Sequence, residues 1–277
     1  MPRESGRPLS RWSAAEIARS AIAKRIVTAI APSTLTRWLR EDHIKPWQHR
    51  SWQQPTDPRF LQKATAVLRL YEQAHVLAEH GEVVVCVDEK TCIQALKATG
   101  GVTASQPDKP MRVGARYTRH GILNLFTALW VHKGETLARC LERKRFVDFQ
   151  GFCQMLFGSL WCQDIRVLHL ILDNGPTHAP KPIKPWIRSL CLPFNVRIHW
   201  LPINASWLDQ VELVFSTLQR HVLTPRHFEN REELETQMLR YLAERNRHPK
   251  PIAWSYTAAT LRKQFAPRPA VELALRS

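Results

Sequence analysis

Near residue 81 the hydrophobic pattern of the chain changes period. Before that point apolar residues recur at helical spacing. WSAAEIARSAIAKRIVTAI opens with Ser13 and, three residues on, Glu16, a capping-box pair, and then places apolar residues every three or four positions. Ala31-Pro32 closes this predicted helix, because a residue before Pro is pushed out of helical geometry. A second helix is predicted from Ser33, a good N-cap, through STLTRWLRED, with Leu35, Trp38 and Leu39 on one face. QHRSWQQPTDPR has no periodicity and reads as a linker. A third helix is predicted from about Pro58 to His80, with Gly81 just past its end.

From Glu82 onward the pattern predicts strands alternating with helices. VVVCV is a β-branched apolar run of a buried strand, and it ends on Asp88-Glu89-Lys90. RVGARYT and ILNLFTALWV, separated by Arg119-His120-Gly121, read as a hairpin, with ETLARCLE as a third strand. FVDFQGFCQMLFGSLW has helical spacing. RVLHLIL is a strand that ends on Asp173-Asn174-Gly175. The proline-spaced helix KPIKPWIRSLC, the strand VRIHWLP and, after Ser206, the helix QVELVFSTLQRHVL complete the series. This order predicts a mixed α/β sheet with helices on both faces.

Composition narrows the picture. Of 277 residues 44% are apolar, with ten Trp and ten Phe, which excludes global disorder and predicts one sizeable core with a smaller satellite. No stretch approaches the ~20 apolar residues of a membrane span, and MPRESGRPLSRW has no apolar leader core, so a cytoplasmic protein is expected. The six cysteines form no CxxC pair, and most lie in apolar runs. They are expected to be reduced thiols.

Charge points to a partner. Forty Lys and Arg against 24 Asp and Glu give a formal +16, and 13 of those bases against 5 acids fall in the first 70 residues. A polyanion is the first partner to consider. Two short helices joined by a turn, the second offering Ser33, Thr34, Thr36, Arg37 and Arg40, have the outline of a helix-turn-helix, whose second helix enters the DNA major groove. A pair of surface helices with solvated basic faces has the same outline. Arg7, in Ser5-Gly6-Arg7-Pro8, belongs either to an extended arm that follows a minor groove or to a frayed terminus.

Candidate chemistry rests on carboxylates. Asp88 and Asp173 each follow an apolar strand, at the end of a sheet where α/β sites are built. Glu212 lies in the first turns of the helix after the last strand. Three carboxylates gathered there would repel one another unless a cation sat among them. Hard oxygen ligands suit Mg²⁺ or Mn²⁺, and two such ions can stabilise the attacking and leaving oxygens of a phosphodiester displacement. Turn formation and helix capping are the competing roles for the same acids, and Asp173-Asn174-Gly175 would make a turn without any metal.

The blocks CVDEKTCIQAL, NLFTALWVHKGETLA, LHLILDNGPTH, WLPINASWLDQVELVFSTLQR and YLAERNRHPKPIAW resemble, in this order, bacterial insertion-sequence transposases related to the mariner group. The resemblance runs from about Gly6 to Ala258. It implies a DDE enzyme with a ribonuclease-H-like catalytic domain, preceded by a small all-α helix-turn-helix region. By position it implies that Asp88, Asp173 and Glu212 are the catalytic and metal-holding acids for two Mg²⁺ or Mn²⁺ ions. Asp88 would serve both ions, and Asp173 and Glu212 one each. It further implies cleavage at terminal inverted repeats, transfer of the 3′-hydroxyl into target DNA, a homodimer on DNA and a nucleoid location.

His178, Asn204 and Asp209 are supporting candidates. His178 orients a phosphate or satisfies a loop; Asn204 shapes the entry to the Glu212 helix. Asp209 stands where the family usually has Asn, and either caps that helix, with Ser206, or perturbs the local charge. Trp207 is expected in the core, and Lys90 is expected to be solvated. The expected boundaries are a DNA-binding region and linker at 1–57, a connecting helix at 58–80, the catalytic domain at 81–225 and C-terminal helices at 226–277. The chain opens almost at the Gly-Arg-Pro linker of such proteins, so a shortened DNA-reading region is expected. A non-catalytic remnant that represses by occupying the repeats, and a nuclease without strand transfer, are the alternative functions.

Overall fold

The computed structural model describes Gly6, residues 8–46, Gln48 and residues 55–160 and 163–265. Arg7, part of the expected DNA contact, lies outside the described residues, as does Cys162. Two compact units divide between Gln54 and Pro55.

The first unit holds two helices, α1 (Ala14–Ala23) and α2 (Pro32–Glu41). Ser13 caps α1, its side-chain oxygen accepting from the amide of Glu16 at 3.2 Å. The helix is shorter than its periodicity predicts. It stops at Ala23, where Lys24 caps it and Arg25 takes a positive φ of 56°, so the β-branched Ile26, Val27 and Thr28 lie outside. Likewise α2 does not begin with a Ser33 cap. Pro32 is its first residue, where the missing N–H costs nothing, and no side chain caps it.

In the second unit α3 (Phe60–Glu79) leads through Gly81, at φ +70°, into β1 (Glu82–Ala98). Here the structure corrects two expectations. The strand does not end on Asp88 but runs ten residues further, because it stays paired with β4 (Tyr117–Trp130), from Val85 opposite Trp130 to Ala98 opposite Tyr117. No hairpin turns at Arg119-His120-Gly121 either. Gly121, at φ +111°, is absorbed within β4, and the long β1–β4 pair is closed instead by residues 99–116. That connection carries the two-residue strands β2 (Val102–Thr103) and β3 (Arg112–Val113), paired antiparallel.

Then follow β5 (Thr136–Leu141), α4 (Phe146–Leu160), β6 (Val167–Leu172), α5 (Pro180–Ser189), β7 (Asn195–Trp200), a 3-10 turn at Ser206–Leu208, α6 (Val211–His221), α7 (Arg231–Arg247) and α8 (Ala258–Phe265). The main sheet has the order β5-β4-β1-β6-β7. β1 is parallel to β6, β6 is parallel to β7, and the β1–β4 and β4–β5 pairs are antiparallel.

Alternation along the central strands supplies two cores. Val84, Cys86 and Ile171 point to one face, where α3, α6, α7 and α8 bring Leu68, Phe215, Met238 and Leu261. Val83, Val85, Val87, Leu168 and Leu170 point to the other, covered by α4 and α5 through Phe149, Phe152 and Ile183. The central strands are thus buried on both sides, which explains their unbroken apolar runs. The result is a ribonuclease-H-like mixed sheet between two helical layers, with two helices ahead of it. None of its helices is long and apolar enough to cross a membrane among the described residues.

Candidate active site

The sheet itself creates the site. β1 separates from β6 after the pair Cys86–Ile171, while its pairing with β4 continues through Asp88 opposite Thr127. Asp88 therefore sits at the mouth where two parallel strands part, and Asp173 follows directly on the neighbouring strand. Asp88 is 7% exposed and its Oδ1 accepts from the Glu89 amide at 2.7 Å. Burial pushes its carboxyl up to about 7, and the charge of Asp173 adds to the rise.

Asp173 folds its own turn. Its Oδ1 accepts from the Gly175 amide at 2.7 Å and faces Nδ1 of His178 at 2.5 Å. A β-carbon on Gly175 would come within 2.9 Å of that oxygen, so a side chain there would push the carboxylate from its place. Burial works to raise the Asp173 carboxyl, but the His178 hydrogen bond and charge outweigh it and hold it below the ordinary value.

Sequence reasoning missed the other partner of His178. Its Nε2 lies 3.1 Å from Oε2 of Glu89, and the ring, wholly buried, packs edge-on against Phe149 at 4.7 Å between centroids. Burial alone would lower its pKa; hydrogen bonds to Asp173 and Glu89 carry it up to about 10. The signal was present in the chain. In a strand successive side chains alternate, so Asp88 and Glu89 open to opposite faces, and Glu89 reaches the α4 side where His178 lies. Asp88, Glu89 and His178 offer ligand atoms within 4.8 Å of one another. With both ring nitrogens facing carboxylates, however, His178 serves as a bridge between acids, not as a ligand.

Glu212, in the first turn of α6, is half-buried. Burial raises its carboxyl; Lys90 opposes the rise and Asp173 adds to it. Asp173 thus raises both of the other acids, as expected where three carboxylates converge. Lys90 is half-buried beside them, not merely solvated.

Asp209 stands two residues before α6. Its Oδ1 accepts from the Val211 amide at 3.0 Å at the start of α6, and its wholly buried carboxyl is held well above the ordinary range by burial and by Asp88. A buried set supports it: Tyr71 donates from its hydroxyl to the Leu208 carbonyl at 2.9 Å and lies 3.3 Å from Cys86 Sγ. Ser206 belongs to the 3-10 turn and makes no capping box with Asp209.

Asn204, at φ +60°, donates to Thr56 Oγ1 at 3.2 Å and lines a cleft of about 290 Å³ together with Asp173, Gly175, Pro202 and Ser206. Trp207 is not in the core; it is 47% exposed, with its ring edge-on to Tyr256 at 5.4 Å. In the first unit Ser33, Arg37 and Arg40 are exposed and Thr34 and Thr36 half-exposed, and the Thr36 hydroxyl donates to the Pro32 carbonyl at 2.9 Å.

The donors fit a hard divalent cation. All are carboxylates, burial and the charge of Asp173 raise the Asp88 carboxyl in a way that a cation would reverse, and Oδ2 of Asp209 is buried without a hydrogen-bond partner among the described residues. On this ribonuclease-H-like sheet the acids form a candidate site for a divalent cation.

The family model described as DDE superfamily endonuclease matches residues 83–235, more than half of the chain, and the protein belongs to that family. Among solved structures, the Mos1 mariner paired end complex with Mn is 16% identical, covering 86% of this chain and 73% of that one, with a TM-score of 0.54. The Mos1 transposase paired-end complex with left transposon end gives 16%, 86%, 73% and 0.52, and the Mos1 strand transfer complex 15%, 86%, 72% and 0.52. At these identities the likeness is one of fold. No curated protein matches the sequence.

Proposed function

We propose that the protein is a DNA transposase, with Asp88, Asp173 and Glu212 as its catalytic carboxylates and two Mg²⁺ or Mn²⁺ ions as its cofactors. The convergence of these three acids at the mouth between β1 and β6, inside a DDE endonuclease family match, carries the reading. Bound divalent cations would supply charge stabilisation for the attacking and leaving oxygens of an in-line phosphodiester displacement.

The chain's own residues prepare that site. Asp88, its carboxyl raised by burial and by Asp173, gains acidity from a bound cation and then serves as a ligand. His178 and Gly175 bind Asp173 through Oδ1, leaving Oδ2 for a ligand. Asp209 fixes the first turn of α6 and with it Glu212. Asn204 and Ser206 offer hydrogen-bonding groups to a phosphate in the cleft. The substrate is duplex DNA, first at the terminal inverted repeats of an element and then at a target joined by the freed 3′-hydroxyl. Ser33, Thr34, Thr36, Arg37 and Arg40 of α2 contact it, Arg7 is a further contact, and a homodimer holds two ends.

Incubation with supercoiled DNA carrying candidate repeats and Mg²⁺ or Mn²⁺ tests this. Wild type is expected to cut and join strands, and Asp173→Asn and Glu212→Gln to lose both by at least about 100-fold, the scale of losing a major electrostatic contributor. Equal activity in all three would overturn the assignment. Binding without cleavage in all three would favour a repressor, and cutting without joining a simple nuclease.

A further inference from the structure

The outer edge of β7 lies open. Among the described residues no strand pairs with it. On its inner side, Asn195 donates its amide to the Arg166 carbonyl and Leu201 donates to Leu172. Main-chain groups of one strand residue point the same way, so those of Val196, Ile198 and Trp200 face the open edge. Two grooves flank it. One, of about 360 Å³, lies between α5 and β7 and is lined by Lys184, Arg188 and Arg197 over an apolar floor. The other, of about 380 Å³, extends to α3 and adds Arg59, Lys63 and His199. Lys184 and Ile198 line both, so the grooves are continuous around the edge.

Five Lys or Arg line this track and no Asp or Glu does. Lys63 is bonded to Asp57 at 2.7 Å, but Arg59, Lys184, Arg188 and Arg197 form no ion pair among the described residues. The track also has a direction. Trp200 lines it, and Pro202, two residues on, lines the cleft that holds Asp173. Asp57 ties the two together, its Oδ2 accepting from Lys63 and from the Ile203 amide at 3.1 Å.

We infer that the β7 edge is a phosphate track that carries one DNA strand between the catalytic cleft and the far end of α5. The inference rests on the DNA-cleaving role proposed above. Six residues of strand span ~20 Å, over which one strand of duplex DNA presents about six phosphates. Four cations outside any ion pair of the described residues, with amide donors between them, match such a row. An acidic peptide adding as a strand is the competing occupant. Continuity with the cleft favours DNA, because a peptide on this edge gains nothing from ending beside Asp173.

The test measures DNA binding by the full chain against salt concentration. Each phosphate contact contributes about 0.9 to the log–log slope, so R188Q/R197Q should be shallower by about 1.8, with its circular dichroism melt unchanged. R262Q/K263Q on α8 should keep the wild-type slope. An unchanged slope in R188Q/R197Q, or an equal loss in R262Q/K263Q, would overturn the track. So would protection of Lys184 from acylation by a poly-glutamate peptide but not by DNA. Failure of wild type to cleave would count against the carboxylate assignment alone, since the slope comparison needs no cleavage.

Discussion

Asp173 Oδ1 is held from two sides by Gly175 and His178, and the orientation of its carboxylate follows from that grip. Gly175→Ala places a β-carbon 2.9 Å from the oxygen and should rotate the carboxylate away, lowering cleavage by about 10- to 100-fold, as loss of an outer-shell partner does. Single-turnover rates at several Mg²⁺ concentrations check this; a rate equal to wild type would show that Asp173 is not held this way. Asp88 gives a pH prediction. Its folded carboxyl, near 7 against 3.8 unfolded, binds a proton more tightly in the folded state, so metal-free stability should fall as pH rises between about 4 and 7. His178 moves the opposite way from an ordinary buried imidazole: raised to about 10, it contributes fully below about 6.5 and that contribution is lost between about 6.5 and 10, almost wholly above the Asp88 window. Melting curves of wild type and Asp88→Asn across pH 4 to 7 separate the two, the variant losing the decline. Asp57, lowered to about 2 by Lys63 and by the Arg59 and Ile203 amides against the cost of burial, adds stability that is lost as pH falls from about 4 to 2.

At the scale of elements, β6 and α4 set how firmly the site is built. Phe152 is wholly buried, its ring 5.8 Å from that of Phe126 on β4 beneath it. Phe152→Ala should destabilise by about 3–5 kcal/mol, read in urea unfolding, and a loss under 1 kcal/mol would contradict the packing described. These elements were legible in the chain because the apolar runs HLIL and VVVCV, and the helical spacing of FVDFQGFCQMLF, obey simple periods. The length of β1 was not legible. Polar residues at Asp88, Lys90 and Gln94 look like a strand end, and only pairing with β4 keeps them in the sheet. For Glu89 strand alternation gave the face, opposite to that of Asp88, but not the partner, since His178 lies 89 positions away. The end of α1 turned on a positive φ at Arg25, a residue type that gives no warning of it. Gly134 is another such point: a β-carbon there would meet the Lys250 carbonyl at under 2 Å, so glycine alone lets the β4–β5 turn meet the loop after α7.

Across the whole molecule the +16 charge is distributed by task. The first unit carries an excess on α2, and in the second bases line the β7 edge that leads to the cleft holding Asp173. Neutralising Arg37 and Arg40 together should lower the salt slope of DNA binding by about 1.8, measured by fluorescence anisotropy, and no change would remove α2 from the interface. The acids at the centre make the most exposed claim, that Asp88, Asp173 and Glu212 together hold divalent cations. Mn²⁺ titration followed by electron paramagnetic resonance, on wild type and Asp88→Asn at pH 7.5, tests it most directly. Wild type should take up Mn²⁺ and the variant should lose that uptake while keeping its fold. Equal uptake by both would contradict the account.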